Sequence, residues 1–522
     1  MEKKKIKIIT IIYFAILALA ITVGIFVGFT FTHKITYNLY GGTNGDNATI
    51  VWSGKTITLK SPTKYGYVFT GWENKYGEKV EVLENIKSDI SVHATWELDP
   101  EVYGDLPVIE ITTKYGTLPD NKEDYVSATL NMFNCTNEEH NLEDKDIGIR
   151  LRGNSTRKFD KKPYRIKFNK KTKVLGMKSN KSWVLLADYI DQSSIRNYTA
   201  FNLASEMDNL SYGNSAHHII LTINGEYKGL YLLTEQVDEK EGRTGASLDI
   251  NGDEIDISVN DTAFPFLIEM DRNALSEGIK GVDNFDTCFY PCEIKYPEYD
   301  ERNIPNGQQD VVYNYIKEYV NAAFTSLKTG NPVNVSFSNT PMTFAELVDV
   351  DSFMEFWLVN QLMHNTDSSW GSVYMSKTQT GKLTFGPVWD FDWSMSSKWI
   401  NKPYQNTEIG LVTSPFLLTN GSMLDYFIKD QDNFNLLCQK WNDVKDDMQD
   451  VCDSLVSYKN RILSIAIKDA NYWYKNSIYS KYILSPENQV KMQYDYVVDF
   501  LGKRISYLTQ ILIESNYEQL AK

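Results

Sequence analysis

Three aspartates near the middle of the chain have the type and spacing of a metal-dependent active site. Asp390 and Asp392 lie two residues apart in a strand-like run, so their side chains are expected on the same face. A turn over residues 378–381 joins this run to a preceding strand, and the hairpin register then places Asp367 opposite Asp392. Three carboxylates held together in apolar surroundings repel one another, and a divalent cation is the simplest compensation. Oxygen ligands select Mg²⁺, Mn²⁺ or Ca²⁺.

The elements that must position these aspartates can be read on either side of them. Residues 353–363 are apolar and predict a helix, residues 372–377 predict the first strand of the hairpin, and the second strand is predicted from Lys382 onward. Phosphoryl transfer needs one aspartate to orient the attacking hydroxyl and another to hold Mg²⁺ on the nucleotide phosphates. Protein kinases have the same local order of helix, loop, hairpin and metal-binding aspartate. A metal-dependent hydrolase could use the same carboxylates, so both reaction classes stay open.

Further motifs in a fixed order resemble the CotH family, spore-coat and surface proteins with an atypical kinase-like fold. The resemblance spans roughly residues 105–510, and the combination of motifs is specific although each one alone is weak. The motifs are Ile149–Arg157, Lys161–Phe168, Trp183–Asp188 with Asp191 and Arg196-Asn197, Asn224–Tyr231 with Glu235, Asn365-x-Asp367, and Trp389–Asp392.

The resemblance implies a role for each matching acidic residue. Asp367 corresponds to the catalytic aspartate of the family, Asp390 to its metal-binding aspartate, and Asp392 to a second ligand or a support. Kinases place a metal-binding asparagine five residues after the catalytic aspartate, where this chain has Ser372, whose hydroxyl is a weaker Mg²⁺ ligand. The cofactors implied are ATP and Mg²⁺, with Mn²⁺ as a substitute, and the partner implied is a protein substrate.

Four residues in the N-terminal half are the predicted nucleotide contacts. Lys162, in a strand predicted over residues 161–168, is expected to reach the phosphates, and Arg152 belongs to a turn whose backbone N–H groups could do the same. Arg196 is a candidate for the ion pair that steadies the phosphate-binding lysine, with Glu206 as the alternative. Glu235 follows the Asn224-Gly225 hairpin and is expected near adenine or ribose. A basic edge strand, a plain turn and surface salt bridges are the competing interpretations.

Residues 34–98 are predicted to form a separate small β module of six short strands. Turns such as Ser53-Gly54 and Tyr76-Gly77 separate the strands. The run from Gly66 to Trp72 and the closing Ala94-Thr95-Trp96 resemble the Listeria–Bacteroides, or internalin B-type, repeat of Gram-positive surface proteins. That resemblance implies a spacer or adhesion module without chemistry of its own.

The N-terminus indicates the compartment. Residues 1–7 carry four lysines, and Ile8–Thr32 then run for 25 residues without a charge, enough to cross a ~30 Å hydrocarbon core. Lysines on the near side predict a cytoplasmic N-terminus with the rest of the chain outside, on a Gram-positive-type cell surface or a spore coat. We expect an uncleaved anchor; the alternative is a signal peptide cleaved after Ala18-Leu19-Ala20.

Composition narrows the remaining function classes. The 522 residues carry a net charge of −15, which disfavours nucleic acid as a partner because phosphate binding needs a cationic surface. The five cysteines are too few for a disulfide scaffold and are expected to be buried thiols, although Cys288 and Cys292 could pair.

The sequence therefore predicts three parts and one principal function. The parts are an anchor or signal segment (1–33), the β module (34–98), and an α+β, two-lobed, atypical kinase-like domain with a helical C-terminal end (105–515). The function predicted is a membrane-anchored Ser/Thr protein kinase acting on surface or spore-coat proteins. The alternative is a surface adhesion protein whose kinase-like domain is degenerate.

Overall fold

The computed structural model of the protein describes eight segments, residues 10–22, 31–246, 263–276, 282–297, 309–396, 412–418, 421–474 and 485–514. The chain divides into two compact units, residues 1–104 with 225–227, and residues 105–224 with 228–522. Residues 10–22 are helical, and the rest of the predicted anchor lies largely outside the described segments. Among the helices that are described, none is both long and apolar enough to cross a membrane, so the predicted transmembrane helix has no support from the structure.

The first unit contains the small β module. A four-stranded sheet has the order β2-β1-β6-β4, and β3 pairs with β5 beside it. All six predicted strands are present, with bounds shifted by a few residues. They are β1 (Thr32–Asn38), β2 (Ile50–Trp52), β3 (Ile57–Thr58), β4 (Tyr67–Glu73), β5 (Val82–Leu83) and β6 (Ile90–Leu98). A core that includes Ile35, Trp72 and Val92 holds them together. A short helix, α1 (Pro100–Tyr103), follows and is capped by Asp99.

The second unit begins with a closed barrel of seven strands. The strands are β7 (Val108–Thr113), β8 (Val126–Phe133), β9 (Leu142–Leu151), β10 (Tyr164–Thr172), β11 (Asn180–Leu186), β12 (Ala216–Ile223) and β13 (Glu226–Glu235). Their order is β10-β11-β13-β12-β7-β8-β9, with β7 parallel to β12. Tyr164, Ile166 and Phe168 alternate into the barrel core, as the sequence pattern of β10 predicts.

A second sheet and the helices complete this unit. The sheet has the order β15-β16-β14-β17-β18, built from β14 (Phe266–Met270), β15 (Asn284–Phe285), β16 (Cys292–Tyr296), β17 (Val373–Lys377) and β18 (Thr384–Phe385). The described helices are α2 (Arg196–Ser205), α3 (Gln309–Thr329), α4 (Phe344–Leu347), α5 (Val350–Leu362), α6 (Met423–Phe427), α7 (Gln431–Tyr474) and α8 (Pro486–Thr509). The apolar helix predicted before Asp367 is therefore confirmed as α5.

The C-terminal part of the second unit is helical. Its helix α7 runs for 44 residues. No glycine or proline interrupts the run, and buried residues including Leu455, Ile462 and Ile465 continue its apolar face. All five cysteines are free thiols, so Cys288 and Cys292 do not form a disulfide.

Candidate active site

A cavity of about 1100 Å³ opens between the barrel and the second sheet within the second unit. Its lining includes Asp367, Asp390 and Asp392 together with Arg152 and Ser372. The structure thus brings together five of the residues predicted for the site. The physical reason differs from the predicted one, because the hairpin does not position all three carboxylates.

Two features of the predicted hairpin geometry are wrong. Met375 pairs with Phe385, where the predicted register had it facing Thr384, and the second strand is only two residues long. Asp390 also has a left-handed backbone (φ 65°), which interrupts the extended run between it and Asp392. Alternation along a strand therefore does not apply here, and the two carboxylates lie in different surroundings.

Asp367 and Asp390 are joined through Asn365. Asp367 begins a 3₁₀ turn after α5, and its backbone N–H donates to Asn365 Oδ1 at 3.3 Å. The Asn365 amide nitrogen donates to Asn360 Oδ1 at 3.0 Å and to the Asp390 carbonyl at 3.4 Å. One side chain thereby links the end of the helix to both aspartate loops.

The electrostatic state of this first pair is set by burial and by mutual repulsion. Burial, followed by the charge of Asp367, raises the pKa of Asp390 to about 6, while Arg152 acts in the opposite direction. Burial also raises the pKa of Asp367, and Arg272 opposes that rise. The Ser372 hydroxyl donates to Asp390 Oδ2 at 3.4 Å. The pair therefore carries negative charge for which the neighbouring protein groups compensate only in part.

Asp392 belongs to a second carboxylate pair, with Asp188. The Asn197 amide nitrogen donates to Asp188 Oδ1 at 3.0 Å and also to Asp392 Oδ1. The Phe391 N–H donates to Asn197 Oδ1 at 2.9 Å, which holds the Asp392 segment against α2. Burial and Asp191 raise the pKa of Asp188 to about 7, and burial and Asp188 raise the pKa of Asp392 well above its usual range.

The lysine in the cleft is Lys161, whereas the prediction chose Lys162. Lys161 lines the cavity, is 3% exposed, and its ammonium is 2.8 Å from Asp469 Oδ2. The Lys162 ammonium instead donates to the carbonyls of Arg157 and Phe159 and does not line the cavity. Strand β10 begins at Tyr164, directly after Pro163. Lys161 and Lys162 therefore lie before the strand, and the alternation of side chains along β10 does not apply to them.

Two other predicted nucleotide contacts are already engaged elsewhere. Arg196 is fully buried and pairs with Asp191, so it does not steady a phosphate-binding lysine. Glu235 pairs with Arg243 at 2.6 Å and accepts from the Ser215 N–H at 3.0 Å. Neither side chain lines the cavity. Arg152 does line the cavity, and its guanidinium lies 5.3 Å from the ring centre of Trp389.

The cleft also contains charged residues that the sequence prediction missed. Lys295 bridges Glu269 at 2.9 Å and Glu293 at 2.6 Å, and these carboxylates raise the pKa of Lys295. Asp271 and Arg272 follow β14 on the same wall. All five come from the stretch between the barrel and α3, which has no sequence motif of its own. Asp188 and Asn197 both belong to the CotH-like motifs. Their presence in those motifs was the sequence signal that could have placed them in the site.

The residues present fit a magnesium ion carried by a nucleotide. Within the described residues no group of three or more His, Cys, Asp or Glu side chains could hold a metal by itself. Mg²⁺ in phosphate-handling sites typically uses one or two carboxylates and completes its shell with water and phosphate oxygens. Asp390, the Ser372 hydroxyl and the neighbouring Asp367 supply such oxygens.

The unit is thus a mixed α/β domain, a barrel facing a sheet-and-helix half across an acidic cleft. Residues 149–508, more than half of the chain, match the family model described as CotH kinase protein, so the chain belongs to that family. Residues 33–100 match the divergent InlB B-repeat domain. No curated protein gives a significant match over the chain.

Proposed function

We propose that the chain is a protein kinase that transfers the γ-phosphate of ATP to a serine or threonine hydroxyl of a protein substrate. The observation that carries the proposal is the first carboxylate pair, Asp367 and Asp390, partly buried in a cavity of about 1100 Å³ beside cationic side chains. A cleft of that size is ample for a nucleotide, and its walls offer both a base and phosphate-binding cations.

Asp367 is the group proposed to receive the proton of the attacking hydroxyl. Its raised pKa makes it a better base than an exposed aspartate, because burial destabilises the ionised form. In the proposed step the substrate oxygen bonds to the γ-phosphorus and the bond to the β,γ-bridging oxygen breaks. The hydroxyl proton passes to Asp367, and ADP leaves with the electron pair of the broken bond.

Asp390 and Ser372 are proposed to hold the metal ion, with Asp367 close by. When bound, Mg²⁺ or Mn²⁺ would neutralise charge on the nucleotide phosphates. Lys161 and Arg152 are proposed to contact the same phosphates, because both line the cavity and both carry a positive charge. Lys161 takes the part that the sequence had given to Lys162.

The test is phosphate transfer by the whole chain, with Asp367→Asn as the decisive variant. With γ-labelled ATP and Mg²⁺, wild type should label casein or itself, and Asp367→Asn should lose about 10²- to 10⁴-fold of that rate. Nucleotide affinity, followed as Mg²⁺-ATP-dependent thermal stabilisation, should change less than about threefold. Asp286→Asn on an exposed carboxylate is the matched control and should retain full activity. Release of labelled phosphate into water without protein labelling would indicate a hydrolase instead.

Surface display is the second part of the proposal. The lysine-flanked apolar segment is the proposed membrane anchor, which would place the rest of the chain outside the cytoplasm. The divergent InlB B-repeat domain favours the competing function, an adhesion protein with an inactive kinase-like domain. A wild-type chain that binds no Mg²⁺-ATP would favour adhesion. Protease accessibility of the second unit on intact cells tests the location separately.

A further inference from the structure

The ammonium group of Lys161 has one donor left for the cleft. A protonated lysine has three N–H donors. One donates to Asp469 Oδ2 at 2.8 Å and one to the Leu230 carbonyl. Within the described part of the chain the third has no hydrogen-bond partner, although the side chain lines the cavity and the ammonium lies 4.9 Å from the ring centre of Tyr231. Lys161 is therefore held by two hydrogen bonds and keeps one donor for a ligand.

The acidic partner of Lys161 comes from the far end of the chain. Asp469 lies in the last two turns of α7, 308 residues after Lys161. Its other carboxylate oxygen accepts from the Leu230 N–H at 2.9 Å, so Asp469 contacts both the lysine and the strand beside it. Gly229 makes this approach possible, because a Cβ at that position would collide with Asp469 Oδ1. Gly229 also has φ +108°, a conformation that side chains rarely adopt.

Two further hydrogen bonds dock the same end of the helix. Trp473 Nε1 donates to the Lys228 carbonyl at 3.0 Å, and the Tyr474 hydroxyl donates to the Tyr189 carbonyl at 2.5 Å. Tyr189 follows Asp188, which is one residue of the second carboxylate pair. The helix end is thus attached to the barrel on both sides of Lys161.

We propose that Asp469 is the positioning residue for Lys161, so that the end of the C-terminal helix α7 completes the phosphate-binding side of the cleft. The proposal deepens the proposed function, since it assumes that the cleft receives a nucleotide. Asp469 holds the ammonium in place inside a buried wall of the cavity and leaves one of its N–H donors for the ligand. Without that carboxylate the ammonium loses its one directly bonded counter-charge, and its orientation is no longer fixed.

The experiment compares five variants of the full chain by Mg²⁺-ATP affinity and by the separate kcat and KM of transfer. Asp469→Asn keeps an acceptor for the Leu230 N–H but presents an amide to the ammonium. Trp473→Phe removes one docking bond of the same helix and leaves the ion pair intact. Lys161→Met removes the lysine, and the neighbouring Lys162→Met is its matched control. The double variant Asp469→Asn/Lys161→Met tests whether Asp469 acts through Lys161.

The expected result is specific to the ion pair. Asp469→Asn should weaken Mg²⁺-ATP affinity about tenfold or more, Lys161→Met at least as much, and both controls less than about twofold. The double variant should be no weaker than Lys161→Met. Equal effects of Asp469→Asn and Trp473→Phe, or a further tenfold loss in the double variant, would overturn the proposal.

The two proposals can fail separately. A wild-type chain that binds Mg²⁺-ATP but transfers no phosphate would refute the kinase function, while the same affinities would still decide the role of Asp469. A wild-type chain that binds no nucleotide would refute both.

Discussion

Two pairs of aspartates lie in the same cleft and differ in the hydrogen-bond donors that their carboxylates have. In the second pair, Asp188 and Asp392, the amide nitrogen of Asn197 donates to both carboxylates. In the first pair, Asp367 and Asp390, the described residues provide one side-chain hydrogen bond, from the Ser372 hydroxyl to Asp390 Oδ2 at 3.4 Å. In both pairs burial raises the carboxyl pKa values, yet among the described residues only the second pair has a shared protein donor.

We propose that this difference separates a structural role for the second pair from a ligand-binding role for the first. A bridging amide fixes two carboxylates and draws the Asp392 segment to α2, so the second pair orders the cleft wall. The first pair lies where the loop after α5 meets the segment after β18, and its charge is left for a ligand to compensate. Asp390 and Asp392 are the same residue type and lie two positions apart. Only their surroundings in the fold therefore distinguish their proposed roles.

The largest expected effect comes from exchanging Asp390 and Asp392 for asparagine one at a time. Asp390→Asn should lower phosphate transfer about 10³-fold, because losing a metal-binding carboxylate costs several kcal/mol of transition-state stabilisation. Asp392→Asn should lower it less than about tenfold, because asparagine can still accept from Asn197. The two changes are isosteric and two residues apart, so each is the control for the other. Rates are measured by label transfer, with thermal unfolding to verify folding. Equal losses would mean that both pairs bind the ligand.

Much of the fold could be predicted because its signals are local. The alternating β10 pattern, the six short strands of the β module and the apolar α5 helix each follow from neighbouring residues. The approach of Asp367 to Asp390 could be predicted because the loop and hairpin between them span few residues. The stated register was one residue out, and the prediction still succeeded because the Asn365 bridge brings the loops together.

The residues that were missed depend on long-range contacts. Lys161 and Lys162 are adjacent and chemically identical, and only the approach of Asp469 from α7 distinguishes them. Glu235 and Arg196 carry the right charges, but Arg243 and Asp191 already engage them. Burial and partner choice are set by tertiary packing, which no local pattern contains.

A smaller effect is expected from removing the bridge of the second pair. Asn197→Ala should lower the free energy of unfolding by about 3 kcal/mol, because two buried carboxylates and the Phe391 N–H lose their partner. Asn202→Ala on the same helix is the matched control, since the half-buried Asn202 amide donates to the Tyr198 carbonyl and bridges no carboxylates. Asn202→Ala should lower the free energy of unfolding by about 1 kcal/mol or less. Urea-induced unfolding measures the stability of both variants. Equal losses of stability would show that the Asn197 bridge contributes no more than an ordinary hydrogen bond.

The last expected effect concerns the proton of the second pair and appears only as a pH dependence. The pKa of Asp188 is raised to about 7 in the folded chain, by burial and by Asp191, from about 4 in the unfolded chain. Between these values the folded state binds a proton that the unfolded state lacks, so the contribution of Asp188 to stability falls as pH rises through 7. Asp188→Asn mimics the neutral acid. The variant should match wild type near pH 4 and exceed it at pH 8 by on the order of a few kcal/mol.

Urea-induced unfolding at pH 4, 6 and 8 measures this difference, with the exposed Asp286→Asn as the control whose offset should not change with pH. A difference between Asp188→Asn and wild type that is constant across the range would mean that Asp188 stays ionised in the fold. In that case the Asn197 bridge alone would stabilise two charges, and the second pair, like the first, would carry negative charge that a cation could compensate. A difference that grows with pH would instead show that a proton completes the second pair, which leaves the first as the pair available to a metal-bound nucleotide.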